Sequence, residues 1–118
     1  MKQIIERPWG HEEMIVHAPR YIIKKLFIKA GHSLLKQFHS KKDETVYILD
    51  GILCLDFSRE KGESNIRKIF KGESWRIAPK TIHKLSASSD GDVVLFKVST
   101  PEQDGTVKLF DDHSRSNA

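Results

Sequence analysis

Short runs of β-branched and aromatic residues, separated by turn residues, recur along the whole chain. Such runs predict strands, whereas the helical spacing of apolar residues at i, i+3, i+4 and i+7 is never sustained. We predict strands at Glu13–His17, Tyr21–Ile28, Ser33–His39, Glu44–Leu49, Ile52–Phe57, Asn65–Phe70, Ser74–Ile77, His83–Ala87 and Val93–Ser99. Short strands at this spacing predict an all-β sandwich or barrel.

Turn residues lie between these runs. Asp50-Gly51 is the sharpest hairpin signal, because both residues tolerate a positive φ and apolar runs flank them. The other turn signals are Ala18-Pro19, Ala30-Gly31, Lys61-Gly62, Lys71-Gly72, Ala78-Pro79-Lys80 and Asp90-Gly91. The polar stretch from Pro101 predicts a tail on the surface. We therefore expect a single domain over residues 1–118, with an N-terminal extension at 1–12 and a C-terminal tail at 101–118.

The length of 118 residues allows one hydrophobic core, which excludes a two-domain dinucleotide-dependent enzyme and an (αβ)-barrel. Lys and Arg number 20 against 16 Asp and Glu, so the net charge is +4. This excess suits an anionic small molecule, and because the charges are mixed along the chain we expect no nucleic-acid binding. The single Cys54 excludes an internal disulfide. With neither a signal peptide nor an apolar membrane span in view, we expect a cytoplasmic protein.

Chemistry-bearing side chains concentrate in residues 31–51, which read G-x5-Q-x-H-x4-E-x6-G. Gln37 and His39 lie two apart on a predicted strand, so their side chains share a face. Glu44 begins the next predicted strand, and if the two strands are neighbours the three side chains converge at one end of the interior. His83 follows a later turn. Two imidazoles, one carboxylate and one amide oxygen suit a divalent metal, and zinc, iron, manganese and nickel all accept such a set.

Two cations share strand parity with an apolar face. Arg20 and Lys24 alternate with Ile22, Leu26 and Ile28. If that face points inward, both cations line the interior and can hold a phosphate through charge-assisted hydrogen bonds. The alternative is that the two cations lie on a solvated outer face.

Taken together, these features resemble the cupins, whose first motif is G-x5-H-x-H-x3,4-E-x6-G and whose second has a Pro-Gly turn before a histidine. Within the cupins, the chain is similar to the C-terminal domain of the type II mannose-6-phosphate isomerase / mannose-1-phosphate guanylyltransferase enzymes. The likeness rests on Arg7-Pro8-Trp9-Gly10, Lys24-Lys25-Leu26, Ala30-Gly31-His32-Ser33-Leu34, Gln37-x-His39, Glu44, Val107-Lys108 and Asp111-Asp112-x-x-Arg115. The resemblance implies a double-stranded β-helix, the jelly-roll-like cupin barrel.

The resemblance also implies a metal-dependent sugar-phosphate isomerase that interconverts an aldose and a ketose through a cis-enediol. One divalent metal per chain would be held by Gln37, His39, Glu44 and His83. Glu44 is a candidate for the base that moves the proton, and a metal-bound hydroxide is the alternative. The phosphate would be neutralised by Arg20, Lys24 and Lys108, the last of which stands where the family has an arginine.

Two other functions remain open at this level. The first is a cupin that acts on, or only binds, a modified or nucleotide-linked sugar in polysaccharide biosynthesis. The second is an iron-dependent oxygenase, although such sites usually use more imidazole than this set provides. In each case open sheet edges and the N-terminal extension predict a homodimer.

Overall fold

A computed structural model describes residues 3–109 of the chain. Strands connected by turns make up this part, which has no helix, and therefore none long and apolar enough to cross a membrane. The strands are β1 (Gln3–Arg7), β2 (Gly10–His17), β3 (Ile22–Ile28), β4 (Lys36–His39), β5 (Glu44–Asp50), β6 (Ile52–Ser58), β7 (Asn65–Phe70), β8 (Ser74–Ile77), β9 (Ile82–Ala87), β10 (Val93–Ser99) and β11 (Thr106–Leu109). The all-β prediction is therefore confirmed.

The strands form two antiparallel sheets that enclose a common interior. One sheet has six strands in the order β1-β2-β3-β10-β5-β8, and the other has five in the order β11-β4-β9-β6-β7. Consecutive strands repeatedly change sheet: β3 lies in the first, β4 in the second, and β5 in the first again. As a result, a residue at the end of one strand and a residue at the start of the next strand can face each other across the interior.

Alternating apolar residues of both sheets fill the core. Their side chains leave the inner face at every second position, as the pleat of a strand requires. The fully buried members are Leu26, Ile28, Val46, Ile48, Leu53, Leu55, Val93 and Leu95, all 0% exposed. Burying a side chain of this size stabilises the fold by about 1.5–3 kcal/mol relative to leaving it exposed.

Two edge strands differ from the sequence prediction. β1 lies in the stretch that we expected to be an extension, and β11 lies in the expected surface tail. Every residue of β1 is exposed, so it has no buried face to produce an alternating pattern. Each edge strand is instead ordered by backbone pairing with one neighbour, β1 with β2 and β11 with β4. Asp111, Asp112 and Arg115, which carried part of the family likeness, lie outside the described residues.

The turn between β1 and β2 is built around Gly10. Its φ is +151°, and a Cβ at this position would lie 1.9 Å from the backbone oxygen of Phe27. The absence of a side chain therefore lets β2 approach β3 closely. The same turn places the buried Trp9 against the core and brings Arg7 to the edge of the interior.

Candidate metal centre and ligand cavity

Three predicted metal ligands lie together in the interior. His39 ends β4 and His83 is the second residue of β9, both in the five-stranded sheet, whereas Glu44 begins β5 in the six-stranded sheet. The premise that the strands carrying His39 and Glu44 are neighbours is thus wrong. The chain crosses between the sheets at residues 40–43, and this crossing brings Glu44 opposite both histidines.

The distances among these side chains are those of a ligand set. Nε2 of His39 lies 3.1 Å from Oε1 of Glu44, and Nε2 of His83 lies 3.4 Å from the same oxygen. The candidate ligand atoms all lie within 4.8 Å of one another. The three residues are only 5%, 1% and 5% exposed for His39, Glu44 and His83, so water screens them poorly.

Hydrogen bonds on the other ring nitrogens orient the two imidazoles. Nδ1 of His83 lies 3.1 Å from the backbone oxygen of Thr81, which can only accept, so this nitrogen donates. Nδ1 of His39 lies 2.8 Å from the hydroxyl of Thr106 on β11. Ligating histidines typically use their second nitrogen in this way, which leaves the Nε2 lone pair for a metal. Both Nε2 atoms face the carboxylate of Glu44.

The turn residue Lys80 helps to bring the two histidines together. The backbone N–H of Lys80 donates to the carbonyl oxygen of His39 at 2.6 Å, with Lys80 in the left-handed region at a φ of 67°. This bond fixes the turn before β9 against the end of β4. His83 therefore enters the sheet beside His39, and the two ring centroids lie 5.2 Å apart.

The carboxylate of Glu44 is held in its ionised form. Burial alone would raise its pKa, but the ammonium of Lys97, followed by His39 and His83, outweighs burial and holds the pKa well below its usual range. Nζ of Lys97 lies 3.4 Å from Oε2 of Glu44. A carboxylate that stays ionised while buried is well suited to bind a cation.

The buried polar atoms of this centre fit a divalent metal. His39 Nε2 and both carboxylate oxygens of Glu44 are buried without a hydrogen-bond partner. Such atoms are costly to bury unless a ligand satisfies them, and a divalent cation would satisfy Nε2 of His39 and Oε1 of Glu44. Gln37 lies directly opposite His83 on the neighbouring strand, so its side chain leaves the same face of the sheet. Its role as a fourth ligand stays a prediction.

A cavity of about 590 Å³ opens beside this centre, and we call it the central cavity. It is lined by Arg7, Pro8, Trp9, Glu12, Lys24, Ser33, Leu34, Leu35, Gln37, His39, Lys42, Lys97, Gln103, Thr106 and Lys108. Cations dominate its charged lining, with Glu12 the carboxylate among them. A cavity of this size is typical of a small-molecule site, and this one favours an anion.

The predicted substrate residues separate in the structure. Lys24 shares the inner face of β3 with Ile22 and Leu26, and it lines the central cavity, as Lys108 does. Arg20 lies in the exposed turn before β3 and is not part of the cavity lining. The strand begins at Ile22, so strand parity does not extend to Arg20.

Sequence reasoning missed four charged residues of the cavity, which are Arg7, Glu12, Lys42 and Lys97. Lys97 shares its strand face with the buried Val93, Leu95 and Ser99, and this parity was a usable signal. Glu12 and Arg7 gave no such signal, because their inward positions depend on how β1 and β2 pair with each other and with β3.

The contacts of Glu12 predict a dependence of stability on pH. Burial raises its pKa, but Lys24 and Arg7, each with a nitrogen 3.4 Å from Oε1, outweigh burial and lower the pKa below the ordinary value of 4.5. Folding thus favours the ionised form. The contribution of Glu12 is present above about pH 4.5 and is lost as the pH falls through the lowered value.

We expect Glu12→Gln to lower the free energy of unfolding at pH 7 by about 1–2 kcal/mol, as measured by urea denaturation. The difference from wild type should shrink below pH 4. Glu13→Gln on the same strand is the control and should show little change. A difference that stays constant down to pH 3 would contradict the assignment.

Known proteins resemble this chain in sequence along nearly its whole length. The family model described as mannose-6-phosphate isomerase C-terminal matches residues 1–111. A mannose-1-phosphate guanylyltransferase of Salmonella muenchen is 29% identical over 106 residues, which cover 90% of this chain. The match spans only 20% of that relative's length.

Solved structures show the same fold. The capsular polysaccharide assembling protein CapF of Staphylococcus aureus has a TM-score of 0.83 at 18% identity, covering 94% of this chain and 35% of CapF. Oxalate decarboxylase of Bacillus subtilis has a TM-score of 0.74 at 17% identity, covering 92% of this chain and 30% of that enzyme. The expected double-stranded β-helix of the cupins is thus confirmed.

Proposed function

Since this chain belongs to the mannose-6-phosphate isomerase C-terminal family, we propose that it is a metal-dependent sugar-phosphate isomerase. The reaction would interconvert mannose 6-phosphate and fructose 6-phosphate through a cis-enediol. The observation that carries the proposal is the buried set of His39, Glu44 and His83 beside a cavity whose charged lining is mostly cationic. The sugar oxygens would then lie at the metal centre, and the phosphate would lie among the cations of the cavity.

The metal would be held by His39, Glu44 and His83, with Gln37 proposed as the fourth ligand. When bound, a divalent metal supplies Lewis-acid polarisation of the sugar oxygens at C1 and C2. The protein's own contribution is to fix both imidazoles through Thr81 and Thr106. Zinc, iron, manganese and nickel all suit this mixed nitrogen and oxygen set.

Proton transfer between C1 and C2 is the step for which we propose Glu44. A carboxylate with a pKa well below its usual range is a good ligand but a weak base. For Glu44 to accept a proton at Oε2, the bound substrate must first draw the Lys97 ammonium away from that oxygen. In the aldose-to-ketose direction, Oε2 would take the proton from C2 and return it to C1, while the hydroxyl proton on O2 passes to O1.

The phosphate group would be held by Lys24 and Lys108, which both line the central cavity. We propose no contact for Arg20, because it lies outside that lining. Lys108 lies opposite Gln37 in the register of β11 and β4, so it approaches the cavity from the side of the metal centre.

A coupled assay with mannose 6-phosphate tests the function. We expect turnover with at least one of zinc, iron, manganese and nickel, and loss of turnover when a chelator is added. His39→Gln should reduce turnover to background, while His17→Gln, at an exposed position at the end of β2, should behave as wild type. Absence of turnover with metal-loaded protein and all four metals would contradict the isomerase proposal.

A second candidate is supported by the names of the relatives. A guanylyltransferase and a capsular polysaccharide assembling protein both point towards sugar-nucleotide and polysaccharide biosynthesis. On this proposal the chain acts on, or binds, a modified or nucleotide-linked sugar in the central cavity. Binding of a nucleotide-linked sugar without mannose 6-phosphate turnover would favour it.

We also propose that the protein is a cytoplasmic homodimer. The feature that supports a homodimer is the outer edge of β1, where Ile4 and Ile5 are 49% and 48% exposed. An apolar, unpaired strand edge is suited to pairing with a second copy. We propose no nucleic-acid partner, because positive and negative charges are mixed along the chain.

A further inference from the structure

Four charged side chains cross the inner face of the six-stranded sheet. In strand order they are Glu12 on β2, Lys24 on β3, Lys97 on β10 and Glu44 on β5. The outer members are paired: Glu12 Oε1 lies 3.4 Å from Lys24 Nζ, and Glu44 Oε2 lies 3.4 Å from Lys97 Nζ. The signs therefore run negative, positive, positive, negative, and the two lysines meet in the middle.

The central pair places two like charges side by side. Lys24 and Lys97 are direct partners in the antiparallel register of β3 and β10. Residues that face each other in this way have Cβ atoms about 5 Å apart, and like charges there are destabilising. Both side chains are largely buried, with exposed fractions of 29% and 17%, so water screens the repulsion only partly. An anion between the two ammonium groups would remove this cost.

Further cations surround the same place. Arg7 Nη2 contacts Oε1 of Glu12, the oxygen that Lys24 also contacts. Lys42 lines the cavity as well. The lining thus holds more positive charge than its carboxylates neutralise, which suits a group with two negative charges.

We propose that Lys97 completes, with Lys24 and Lys108, the anion subsite of the central cavity, which takes the phosphate of a phosphorylated sugar, and that Glu12 is the positioning residue that holds Lys24 and Arg7 towards it. The choice of a sugar phosphate builds on the proposed function, whereas the anion subsite does not require the isomerase reaction. Lys97 then has two contacts available, Glu44 and the ligand, and links the anion subsite to the metal centre.

Calorimetric titration of the full chain with mannose 6-phosphate, mannose and inorganic phosphate tests this inference. The titrations are made with divalent metal present and again after chelation, so that phosphate binding to the metal is separated from binding to the lysines. We expect mannose 6-phosphate to bind at least about tenfold more tightly than mannose under both conditions, and more weakly as ionic strength rises.

Matched variants identify the residues. Lys24→Met and Lys97→Met should each weaken mannose 6-phosphate binding by about tenfold or more, the loss expected for one charge-assisted contact, and Lys97→Arg should recover most of it. Lys25→Met, adjacent to Lys24 on the exposed face of β3, should bind as wild type. Glu12→Gln should weaken binding of mannose 6-phosphate but not of mannose, and Glu12→Asp should partly restore it.

The outcomes separate this proposal from the isomerase proposal. Tight phosphate-dependent binding without turnover would remove the isomerase and leave the anion subsite in place. Turnover with unchanged mannose 6-phosphate affinity in both Lys24→Met and Lys97→Met would overturn the subsite, as would an equal loss in Lys25→Met. A urea denaturation curve for each variant shows whether it is folded. If Lys97→Met is unfolded, the mannose 6-phosphate affinity of Lys97→Arg tests the role of Lys97 instead.

Discussion

Replacing His83 with alanine is expected to lower the affinity of the chain for divalent metal by more than about 100-fold, because losing even a supporting hydrogen bond at such centres costs 10–100-fold. The imidazole supplies one of three ligand atoms that lie within 4.8 Å of each other. Its loss leaves His39 and Glu44, which belong to different sheets. Metal content after dialysis, measured by elemental analysis, should fall from about one ion per chain to background.

The control for this experiment is His17→Gln, which removes an imidazole at an exposed position. It should retain the metal content of the wild type. Stoichiometric metal in the His83→Ala protein would show that the ion binds elsewhere, and the candidate metal centre would then be wrong.

Substituting Gly10 with alanine is expected to destabilise the fold by about 3 kcal/mol or more, because overpacking and backbone strain each cost about 1–3 kcal/mol. The new Cβ would lie 1.9 Å from the backbone oxygen of Phe27, so β2 must move away from β3. Urea denaturation measures the effect. Because the same turn holds Arg7 and Trp9 at the cavity, mannose 6-phosphate affinity should fall as well.

Gly62→Ala provides the matched comparison. Gly62 also has a positive φ, +85°, but a Cβ there meets nothing within 4 Å. Its cost should be about 1–2 kcal/mol, which is the backbone term alone. If the two substitutions cost the same, the close approach of β2 and β3 at Gly10 contributes nothing to stability.

Strand parity explains how much of the site the sequence could predict. Gln37 and His39 were placed on one face by their spacing of two, Glu44 at the start of the next strand, and Lys24 on the same face as Ile22, Leu26 and Ile28. These inferences need only the period of two along a single strand. They succeeded even though the assumed pairing of the strands was wrong, because a buried face points into the same interior from either sheet.

Features that depend on pairing between distant strands could not be predicted in this way. The contact of Lys97 with Glu44 requires that β10 lie beside β5, and the contact of Glu12 with Lys24 requires the register of β2 on β3. β1 and β11 are each ordered by backbone hydrogen bonds to one neighbouring strand. Such bonds do not require alternating apolar and polar residues, so the sequence shows no strand pattern there. Arg20 illustrates the opposite error, since parity was extended past the end of a strand.

The placement of Glu44 in one sheet and both histidines in the other has a thermodynamic consequence. Any ion bound there joins the two sheets, and it binds the folded chain but finds no preformed set of ligands in the unfolded one. Folding and binding are then linked by mass action, so a free ion concentration 100 times the dissociation constant adds about 2.7 kcal/mol to the free energy of unfolding. The stability of the contact between the two sheets would thus rise with the concentration of free metal in the cell.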